Sequence, residues 1–400
     1  WLSALLASDG ESVADDEEPV EGVIGGLMIT GAGLEKPKDL EYARHHVPEV
    51  ARPISSLLGK ITMALPSEAT KIVLAERPKG YVDDSTFRTE KVTMTSLIPS
   101  KPTEALVRVD YVSIDPAMRV WLNETRSYLP PVGIGETMRA AGIGTVVKVN
   151  ATEGKFKVGD VVQGFFGWTN YALMDESKLK AIMSGLSSPP PGATALDYLG
   201  SLGSTALTAY FGLLDVGQLK SGDTCVVSGA AGAVGSVVCQ IAKLKGAKVI
   251  AIAGSDDKCK WLETDLGVDK ALNYKSPSFR EDFKKNVGYL DVYFDNVGGD
   301  ILDLCLTRLN KGARIALCGA ISDYNSKPKG LTSYLNLISQ RAKIEGFLVF
   351  DYASRYGEAQ TELAQWLKEG KLKRRFRIER GLENCPKHLN GLFTGVNTGK

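Results

Sequence analysis

The sequence predicts an α/β protein in which a doubly wound parallel sheet is joined to a second, β-rich domain. Three observations support this fold class. A glycine-rich turn near residue 230 lies between a short apolar run and an amphipathic helix. Strand-like and helix-like segments then alternate to about residue 350, as in a doubly wound sheet. Before residue 190, short apolar runs are separated by glycine- and proline-containing turns, which is typical of a β-barrel or sandwich.

The composition is that of an ordinary globular protein and argues against several classes of partner. The chain has 400 residues, enough for two or three domains with a large core. Lysine and arginine total 48 against 47 for aspartate and glutamate, so the net charge of +1 gives no support for nucleic-acid binding. No apolar run is as long as a membrane span, and the first residues lack the basic leader of a secretory signal. We therefore expect no nucleic-acid and no membrane partner.

The cysteines and histidines predict neither disulfides nor a metal site. The six cysteines lie mostly in predicted strands and helices, with no two within four positions, which fits buried free thiols in a reducing compartment. We therefore expect a cytoplasmic protein. The chain contains no CxxC pair, no HExxH motif and no cluster of cysteines and histidines, so we predict no zinc or other metal.

The first half of the chain contains an extension and the β-rich domain. Residues 1–68 combine an acidic patch and a glycine-rich stretch with poor periodicity, which predicts a poorly ordered N-terminal extension. Residues 69–192 are predicted to form the β-rich domain. Its strands are predicted at 72–74, 92–94, 105–111, 144–149, 161–162 and 171–172. A proline-rich connection then leads into a predicted helix over 193–210.

The glycine-rich turn is the centre of a predicted βαβ unit. A β-branched run, 224–227, leads to Gly229, Gly232 and Gly235, a helical pattern follows, and a second apolar run covers 248–253. Glycines allow the backbone to approach a pyrophosphate, and a helix that begins there directs free N–H groups and its positive dipole end at the phosphates. The GxxGxxG spacing with its flanking strands therefore favours a dinucleotide site over a helix-packing turn.

The residues at the end of the second strand of this unit distinguish an NAD site from an NADP site. NAD sites usually place an acidic residue there to bind the ribose 2′-hydroxyl. Here Gly254 and Ser255 occupy the strand end and Lys258 follows, which leaves room for a 2′-phosphate and supplies a positive charge. We therefore predict NADPH. The alternative is that Asp256 is the ribose acid and that Lys258 is a solvated helix residue.

The domain of parallel strands is predicted to extend over 193–350. Its further strands are predicted at 271–273, 292–294, 314–317 and 343–349, with helices that include 301–309 and 334–341. Residues 351–400 are predicted to contain a helix over 356–369, a charged stretch and a final short helix.

Several motifs of the chain resemble those of one enzyme family. They are SIDPAMR (113–119), the turn at 228–236, AGS (253–255), NYK (273–275), FDNVGG (294–299), the segment 318–325, GFLV (346–349) and GVNTGK (395–400). From about residue 70 to its end, the chain resembles the zinc-independent medium-chain dehydrogenase/reductases. Within that family it is similar to the branch of prostaglandin reductases, alkenal double-bond reductases and curcumin reductases.

The resemblance implies a fold in two parts and a reaction. A GroES-like β domain over 69–192 is completed by a C-terminal return over 351–400, and an NADP-binding Rossmann domain covers 193–350. The implied reaction is hydride transfer from NADPH to the β-carbon of an α,β-unsaturated aldehyde or ketone in the cleft between the domains. The chain departs from the family at Ala117, where many members have tyrosine, and at its end, where the family tail continues as one more strand.

The resemblance also implies the cofactor contacts. The pyrophosphate turn is Gly232, Ala233, Val234 and Gly235, and the 2′-phosphate contacts are Lys258 and Tyr274. The remaining contacts are Asn296 to a ribose or adenosine phosphate, Cys318, Gly319, Ala320, Ile321 and Tyr324 beside the nicotinamide ribose, Phe347, Leu348 and Val349 in the nicotinamide pocket, and Asn397 from the tail. Without the resemblance, Asn296 is equally explained by a turn that closes its strand.

Tyr324 is the candidate catalytic residue. Hydride addition to an enone leaves negative charge on the carbonyl oxygen, and without zinc ligands a hydroxyl donor is the expected way to stabilise it. Tyr324 follows the end of the fifth parallel strand, where doubly wound sheets bind ligands, and a phenol remains a donor at neutral pH. The alternative is a tyrosine that only packs on the cofactor ribose. The sequence leaves both roles open.

Four residues of the β-rich domain have less specific interpretations. Met118 and Tyr128 are candidate substrate contacts, although the loop around Tyr128 favours a surface aromatic. Arg119 either faces the cofactor or pairs with an acid. Trp168 is predicted to lie in the core rather than in the pocket.

Three functions and one assembly state follow from these features. The main hypothesis is an NADPH-dependent reductase of enones or enals, and the alternatives are a quinone reductase of the same fold and a non-catalytic NADPH-binding protein. The intact turn and Tyr324 favour an enzyme. The sixth parallel strand is apolar enough over 344–350 to pair with a second copy, so we expect a homodimer, whereas a strand covered by a helix would indicate a monomer.

Overall fold

The computed structural model describes residues 65–150, 154–184 and 187–400. The part from Ser67 to Lys400 belongs to one compact unit. The predicted N-terminal extension, 1–68, lies outside the described residues except for its last few positions. In the described part of the chain, no helix has both the length and the apolar character needed to cross a membrane.

The strands fall into two groups along the chain. The strands before residue 190 are β1 (Glu68–Leu74), β2 (Phe87–Thr93), β3 (Glu104–Val112), β4 (Gly142–Val149), β5 (Val161–Gly164), β6 (Tyr171–Asp175) and β7 (Lys180–Met183). The later strands are β8 (Thr224–Val227), β9 (Lys248–Ala253), β10 (Lys270–Asn273), β11 (Leu290–Asp295), β12 (Leu309–Leu317) and β13 (Lys343–Gly346). We call the part built on β1–β7 the β-rich half and the part built on β8–β13 the parallel-sheet half.

The helices lie mainly in the parallel-sheet half. In chain order they are α1 (Ala117–Val120), α2 (Ser204–Phe211), α3 (Ala233–Leu244), α4 (Asp256–Thr264), α5 (Phe279–Val287), α6 (Gly299–Leu306), α7 (Leu335–Gln340), α8 (Tyr356–Lys368) and α9 (Cys385–Thr394).

The β-rich half consists of antiparallel strands. A five-stranded sheet has the order β6-β3-β4-β5-β7, and β1 and β2 form a hairpin. Bridges at Lys71 and Val73 connect the hairpin to neighbouring segments of this half. Trp168 is 0% exposed and packs with Met118 and Leu122, which confirms its predicted place in the core. The prediction missed β7, because this four-residue strand buries only Ile182 and so shows no alternating pattern.

The parallel-sheet half has the predicted doubly wound sheet. Its six strands have the order β10-β9-β8-β11-β12-β13, and every pair in it is parallel. Buried apolar side chains cover both faces of the sheet, in two separate clusters. The strand order reverses direction between β8 and β11, and doubly wound sheets bind ligands at such a point, outside the carboxyl ends of the strands.

The predicted helix over 193–210 is wrong in its first half. Ala195–Leu199 form a 3₁₀ turn, and only Ser204–Phe211 are α-helical. A Cβ atom on Gly203 would lie 2.1 Å from the carbonyl oxygen of Tyr198, so the chain folds back tightly on itself at this position. Periodicity alone does not detect this break, because apolar residues continue on both sides of it.

The sixth strand is shorter than predicted. It ends at Gly346, and Val349–Arg355 form a 3₁₀ turn instead of continuing the predicted 343–349 strand. The ring of Phe347 packs on Phe294, and a Cβ atom on Gly212 would lie 2.2 Å from it. The chain therefore leaves the sheet edge after Gly346, where the Phe347 ring packs against Phe294.

The C-terminal segment divides between the two halves. We expected the whole of 351–400 to return to the β-rich half, but α8 packs on the core of the parallel-sheet half through Leu363 and Trp366. The return is made by α9, whose Cys385 and Leu389 lie in the core of the β-rich half. The exact domain bounds stay a prediction.

Candidate nucleotide-binding and active site

The glycine-rich turn is held in a shape that only glycine permits at one position. A Cβ atom on Gly235 would lie 2.4 Å from the carbonyl oxygen of Gly229 and 2.8 Å from the Cα atom of Ala230. Gly229 itself has φ of +58°, in the left-handed region. Helix α3 begins at Ala233 without a side-chain cap, so its first N–H groups face outward from the turn. The arrangement is an anion cradle at a helix N-terminus.

A buried carboxylate, Asp295, supports this edge of the sheet from below. It is 0% exposed, and its Oδ1 atom accepts hydrogen bonds from Ser228 Oγ (2.8 Å), Tyr293 OH (2.7 Å) and the backbone N–H groups of Val297 (2.9 Å) and Gly298 (3.0 Å). Its Oδ2 atom has no hydrogen-bond partner among the described residues. Burial raises the pKa of Asp295, and the four donors oppose that shift.

Asp295 also connects a third strand end. Its backbone carbonyl accepts hydrogen bonds from the N–H groups of Cys318 (2.9 Å) and Gly319 (3.1 Å), which follow β12. Asp295 therefore accepts hydrogen bonds from groups at the ends of β8, β11 and β12. Sequence reasoning missed it, although a lone acid at the end of an apolar strand was a detectable signal.

Asn296 lies against the glycine turn. Its Nδ2 atom donates to the carbonyl of Ser228 (2.7 Å), and its N–H donates to Ser228 Oγ (3.0 Å). A Cβ atom on Gly229 would lie 3.3 Å from the Cβ of Asn296. The side chain thus closes the space between two strand ends, which matches the predicted location and leaves its ligand role a prediction.

The predicted 2′-phosphate contacts lie together at the end of β9. The phenol ring of Tyr274 covers Gly254, since a Cβ atom on that glycine would lie 3.0 Å from the ring. Lys258 Nζ donates to the carbonyl of Gly395 at 2.7 Å. Burial lowers the pKa of Lys258, and the positive charges of Lys275 and Arg377 lower it further. Three cations therefore converge beside Tyr274.

The alternative assignment of Asp256 as the ribose acid has a competing contact. Its carboxylate accepts a hydrogen bond from Asn273 Nδ2 at 2.9 Å. The third cation, Arg377, was missed by sequence reasoning, because it lies in a basic stretch more than 100 positions after Lys258. Its Nη1 atom donates to the carbonyl of Val396 at 2.5 Å.

The C-terminal tail lies directly on the glycine turn. The N–H of Gly399 donates to the carbonyl of Ala231 at 2.8 Å, and Gly399 pairs with Gly232 in a parallel bridge. Asn397 is half-buried two positions earlier. The tail therefore lies beside the glycine turn, and a cofactor contact by Asn397 stays a prediction.

The loop after β12 carries Tyr324 into the same edge of the sheet. The N–H of Ala320 donates to the hydroxyl of Tyr324 at 3.2 Å, and the N–H of Ile321 donates to the carbonyl of Asn296 at 3.3 Å. A Cβ atom on Gly319 would lie 3.1 Å from the same hydroxyl. Burial raises the pKa of Tyr324, so the hydroxyl keeps its proton at neutral pH.

Tyr128 and Cys318 lie close enough to Tyr324 to affect its ionisation. Tyr128 is half-buried rather than a surface aromatic, because its hydroxyl accepts from Trp121 Nε1 (3.0 Å) and its ring contacts that of Phe350. Burial raises the pKa of Cys318 to about 12, which makes it an unreactive thiol at neutral pH. The candidate reaction site therefore contains three protonated groups.

Other predicted residues lie deeper than expected. Met118 is 0% exposed in the core of the β-rich half, so its side chain has no accessible surface for a substrate. Phe347 and Val349 pack into the parallel-sheet core, and the carbonyl of Val349 accepts from Tyr356 OH. Leu348 is half-buried between them. Of the predicted nicotinamide-pocket residues, Phe347 and Leu348 are half-buried and keep some accessible surface, whereas Val349 is buried.

The described residues do not supply a metal site. Among residues 65–150, 154–184 and 187–400, no group of three or more His, Cys, Asp or Glu side chains could hold a metal ion. This donor set does not fit zinc, and we assign no step to a metal. That the protein uses no metal stays a prediction.

Two domain families match the chain. One, described as the N-terminal domain of oxidoreductase, matches residues 70–182. The other, described as zinc-binding dehydrogenase, matches residues 233–369. Together they cover parts of both the β-rich half and the parallel-sheet half.

Relatives of known name cover most of the chain. It is 38% identical over 336 residues to the NADPH-dependent curcumin reductase of Escherichia coli (strain K12), which spans 82% of this chain and 94% of that protein. It is 37% identical over 332 residues to prostaglandin reductase 1 of Bos taurus, over 80% of this chain and 94% of that protein. The crystal structure of CurA in complex with NADPH from Vibrio vulnificus is similar with a TM-score of 0.76 and 40% identity, over 83% of this chain and 97% of that chain.

Proposed function

The chain belongs to the zinc-independent medium-chain dehydrogenase/reductase family, and on that basis we propose that it reduces the carbon–carbon double bond of α,β-unsaturated aldehydes and ketones with NADPH. Relatives named for curcumin, prostaglandin and 2-alkenal reduction support this reaction class. The observation that carries the proposal is the Tyr324 hydroxyl, protonated and placed at the same sheet edge as the Gly235 cradle.

The described residues fit an NADPH molecule. The cradle at Gly232–Gly235 offers the first N–H groups of α3, from Ala233 onward, without a side chain in the way, as a pyrophosphate requires. Lys258 and Tyr274, with Arg377 beside them, supply charge and a hydroxyl for the 2′-phosphate. Asn296 and Asn397 flank the turn. A bound NADPH supplies the hydride for the β-carbon of the double bond.

Tyr324 acts on the other end of the conjugated system. Its hydroxyl accepts from Ala320 N–H, and this leaves its own proton free to donate to the substrate carbonyl oxygen. Negative charge that develops on this oxygen is stabilised by that donation. A ribose hydroxyl is the other donor for this position. Tyr128, which lies near Cys318, is the candidate substrate contact from the β-rich half.

The protein acts as a homodimer in the cytoplasm. Strand β13 is the open edge of the parallel sheet, and next to it in the chain α7 exposes Leu335 (60%) and Ile338 (73%). Such an edge with exposed apolar side chains favours pairing with a second copy. All six cysteines are free, which suits a reducing compartment.

The test is the loss of NADPH absorbance, and separately of NADH absorbance, with a panel of enals, enones and quinones. We expect rapid oxidation of NADPH by enals or enones, slower oxidation of NADH, and slower turnover of quinones. In the Tyr324→Phe variant we expect kcat to fall by about 10- to 100-fold, because one donor to the developing oxyanion is removed.

Two outcomes would replace the proposal. Turnover with quinones alone would identify a quinone reductase. Binding of NADPH without oxidation by any acceptor would identify a non-catalytic binding protein. An unchanged kcat in Tyr324→Phe would transfer the donor role to the ribose hydroxyl.

A further inference from the structure

Arg119 is a buried cation that the proposed mechanism does not use. It lies in α1, and only 3% of its surface is exposed. Burial lowers its pKa, but an arginine stays charged at any physiological pH. The sequence left two roles for it, a contact with the cofactor or a pair with an acid. The recorded partners of its guanidinium are four neutral oxygens, and none belongs to a carboxylate.

Three of these oxygens lie in the β-rich half. Arg119 Nη1 donates to Asn123 Oδ1 (2.7 Å), Nη2 donates to the carbonyl of Pro78 (3.1 Å), and Nε donates to the carbonyl of Gly80 (2.8 Å). These contacts order α1 and the loop after β1. They do not reach the parallel-sheet half.

The fourth oxygen lies on the loop that carries Tyr324. Arg119 Nε donates to Asn325 Oδ1 at 3.0 Å, across 206 positions of sequence. A Cβ atom on Gly80 would lie 3.6 Å from the carbonyl oxygen of Asn325, so the two backbones are also close. Asn325 directly follows Tyr324. The guanidinium therefore connects the candidate catalytic loop to the β-rich half.

Aromatic rings reinforce the same connection. Phe393 of α9 makes edge contacts with Tyr81 (centroids 6.2 Å apart) and with Tyr324 (6.4 Å apart). These contacts fix the ring of Tyr324 from the side, whereas Arg119 holds the side chain of the next residue, Asn325. A hydrogen bond to a charged donor is generally stronger than a ring contact.

We propose that Arg119 is a positioning residue that holds the segment 318–325 against the β-rich half and so sets the Tyr324 hydroxyl for the reduction. The catalytic part of this inference rests on the proposed function. The cradle at Gly232–Gly235 does not depend on Arg119, because its contacts come from within the parallel-sheet half and from the tail. Loss of the connection therefore lowers kcat by more than it weakens NADPH binding.

The experiment compares two asparagines that accept from the same guanidinium. Asn325→Ala removes the acceptor on the Tyr324 loop, and Asn123→Ala is the matched control within the β-rich half. We expect kcat to fall by about 10-fold or more in Asn325→Ala, with a smaller rise in the NADPH dissociation constant, since one charge-assisted hydrogen bond is lost. Asn123→Ala keeps kcat within about twofold.

A double variant separates positioning from general destabilisation. If Asn325 acts through Tyr324, Asn325→Ala lowers kcat no further in the Tyr324→Phe background. Equal losses in the Asn325→Ala and Asn123→Ala variants, or a full further loss in the double variant, would overturn the proposal. Arg119→Met, if it folds, reproduces the Asn325→Ala result.

Hydrogen–deuterium exchange tests the connection without any substrate. In Asn325→Ala we expect faster exchange over 318–326 than in the wild type, and unchanged exchange over 229–236. Unchanged exchange over 318–326 would overturn the connection itself. A wild-type protein that reduced no enal or enone would instead overturn the proposed function, so the two failures are distinguishable.

Discussion

The nucleotide edge of the sheet and the Tyr324 loop are built in different ways. The nucleotide edge, Ser228–Gly235 with Asp295, is shaped by backbone atoms that lie close in sequence and by one buried carboxylate. The Tyr324 loop, residues 318–325, is fixed on its outer side by Arg119 and Phe393, which belong to distant parts of the chain. The first region is a local motif and the second is an assembly of long-range contacts.

This difference implies different responses to substitution. At the nucleotide edge Gly235 has no space for an added atom, and no other described group replaces the buried carboxylate of Asp295. The Tyr324 loop is held by several contacts, so the loss of one of them displaces the loop only partly. We therefore expect large losses of folding or binding at the first region and graded losses of turnover at the second.

The largest effect is expected at Asp295. Asp295→Ala leaves two backbone N–H groups and two hydroxyls without their acceptor, in a site that is 0% exposed. Each unsatisfied buried donor costs about 1–3 kcal/mol, so the free energy of unfolding should fall by about 3 kcal/mol or more. Denaturant unfolding of the wild type and the variant measures this. A decrease in the free energy of unfolding below about 1 kcal/mol would show that Asp295 does not hold these strand ends together.

The conservative variant gives the sign of a pH effect. Burial raises the pKa of Asp295 above its ordinary value of 3.8, so the folded state holds this proton more tightly than the unfolded state. As the pH rises from 3.8 through the raised pKa of Asp295 in the folded state, the wild type loses stability. Asp295→Asn has no carboxyl group at this position and so shows no such loss. The stability of the variant relative to the wild type should therefore rise with pH, and a fall would contradict the raised pKa.

A smaller effect is expected from one methyl group in the cradle. In Gly235→Ala the new Cβ would lie 2.4 Å from the Gly229 carbonyl oxygen, so the turn must open. Overpacking of this kind costs about 1–3 kcal/mol, which corresponds to about 5- to 150-fold weaker NADPH binding. Titration calorimetry measures it. Gly357→Ala, where nothing lies within 4 Å in the first turn of α8, is the control and should bind as the wild type does.

At the 2′-phosphate contacts we expect a change of cofactor preference. Lys258→Gln removes the half-buried cation and should weaken NADPH binding by about 10-fold, with NADH binding unchanged. Lys260→Gln, an exposed position on the same helix, is the control. Equal weakening for both cofactors would indicate a structural role for Lys258 instead.

The smallest effect is expected at Cys318. Its pKa of about 12 equals that of the fully buried Cys225, so both thiols are protonated at pH 8. Cys318 is half-buried whereas Cys225 is fully buried, so iodoacetamide at pH 8 should alkylate Cys318 slowly but faster than Cys225, and activity should persist. Mass spectrometry of the treated protein measures both sites. Rapid alkylation of Cys318 would show that the Tyr324 region contains a reactive thiolate.

The two regions also differ in how far the sequence predicts them. The cradle was predicted in detail, because Gly229, Gly232 and Gly235 shape it within a few positions and its flanking strands have clear patterns. The sheet order follows from the alternation of strands and helices. Asp295 was missed because a buried acid has no periodicity, and its role depends on donors from three strand ends.

The Tyr324 region was predicted only as a list of residues. The partners of Arg119 were not predictable, because they lie up to 206 positions away and are neutral oxygens rather than acids. The burial of Met118 was missed for the same reason, since it packs against Ile72 and Trp168, which are distant in sequence. Local patterns specify strands and turns, but they do not specify which loops meet.

The most direct test of the central claim follows the hydride. An α,β-unsaturated ketone is reduced by the protein with NADPH carrying deuterium at the transferable C4 position, and the product is analysed by NMR. The proposed function predicts a saturated ketone with deuterium at the β-carbon and hydrogen from water at the α-carbon. Deuterium at the carbonyl carbon of an alcohol product, or no deuterium in any product, would contradict it.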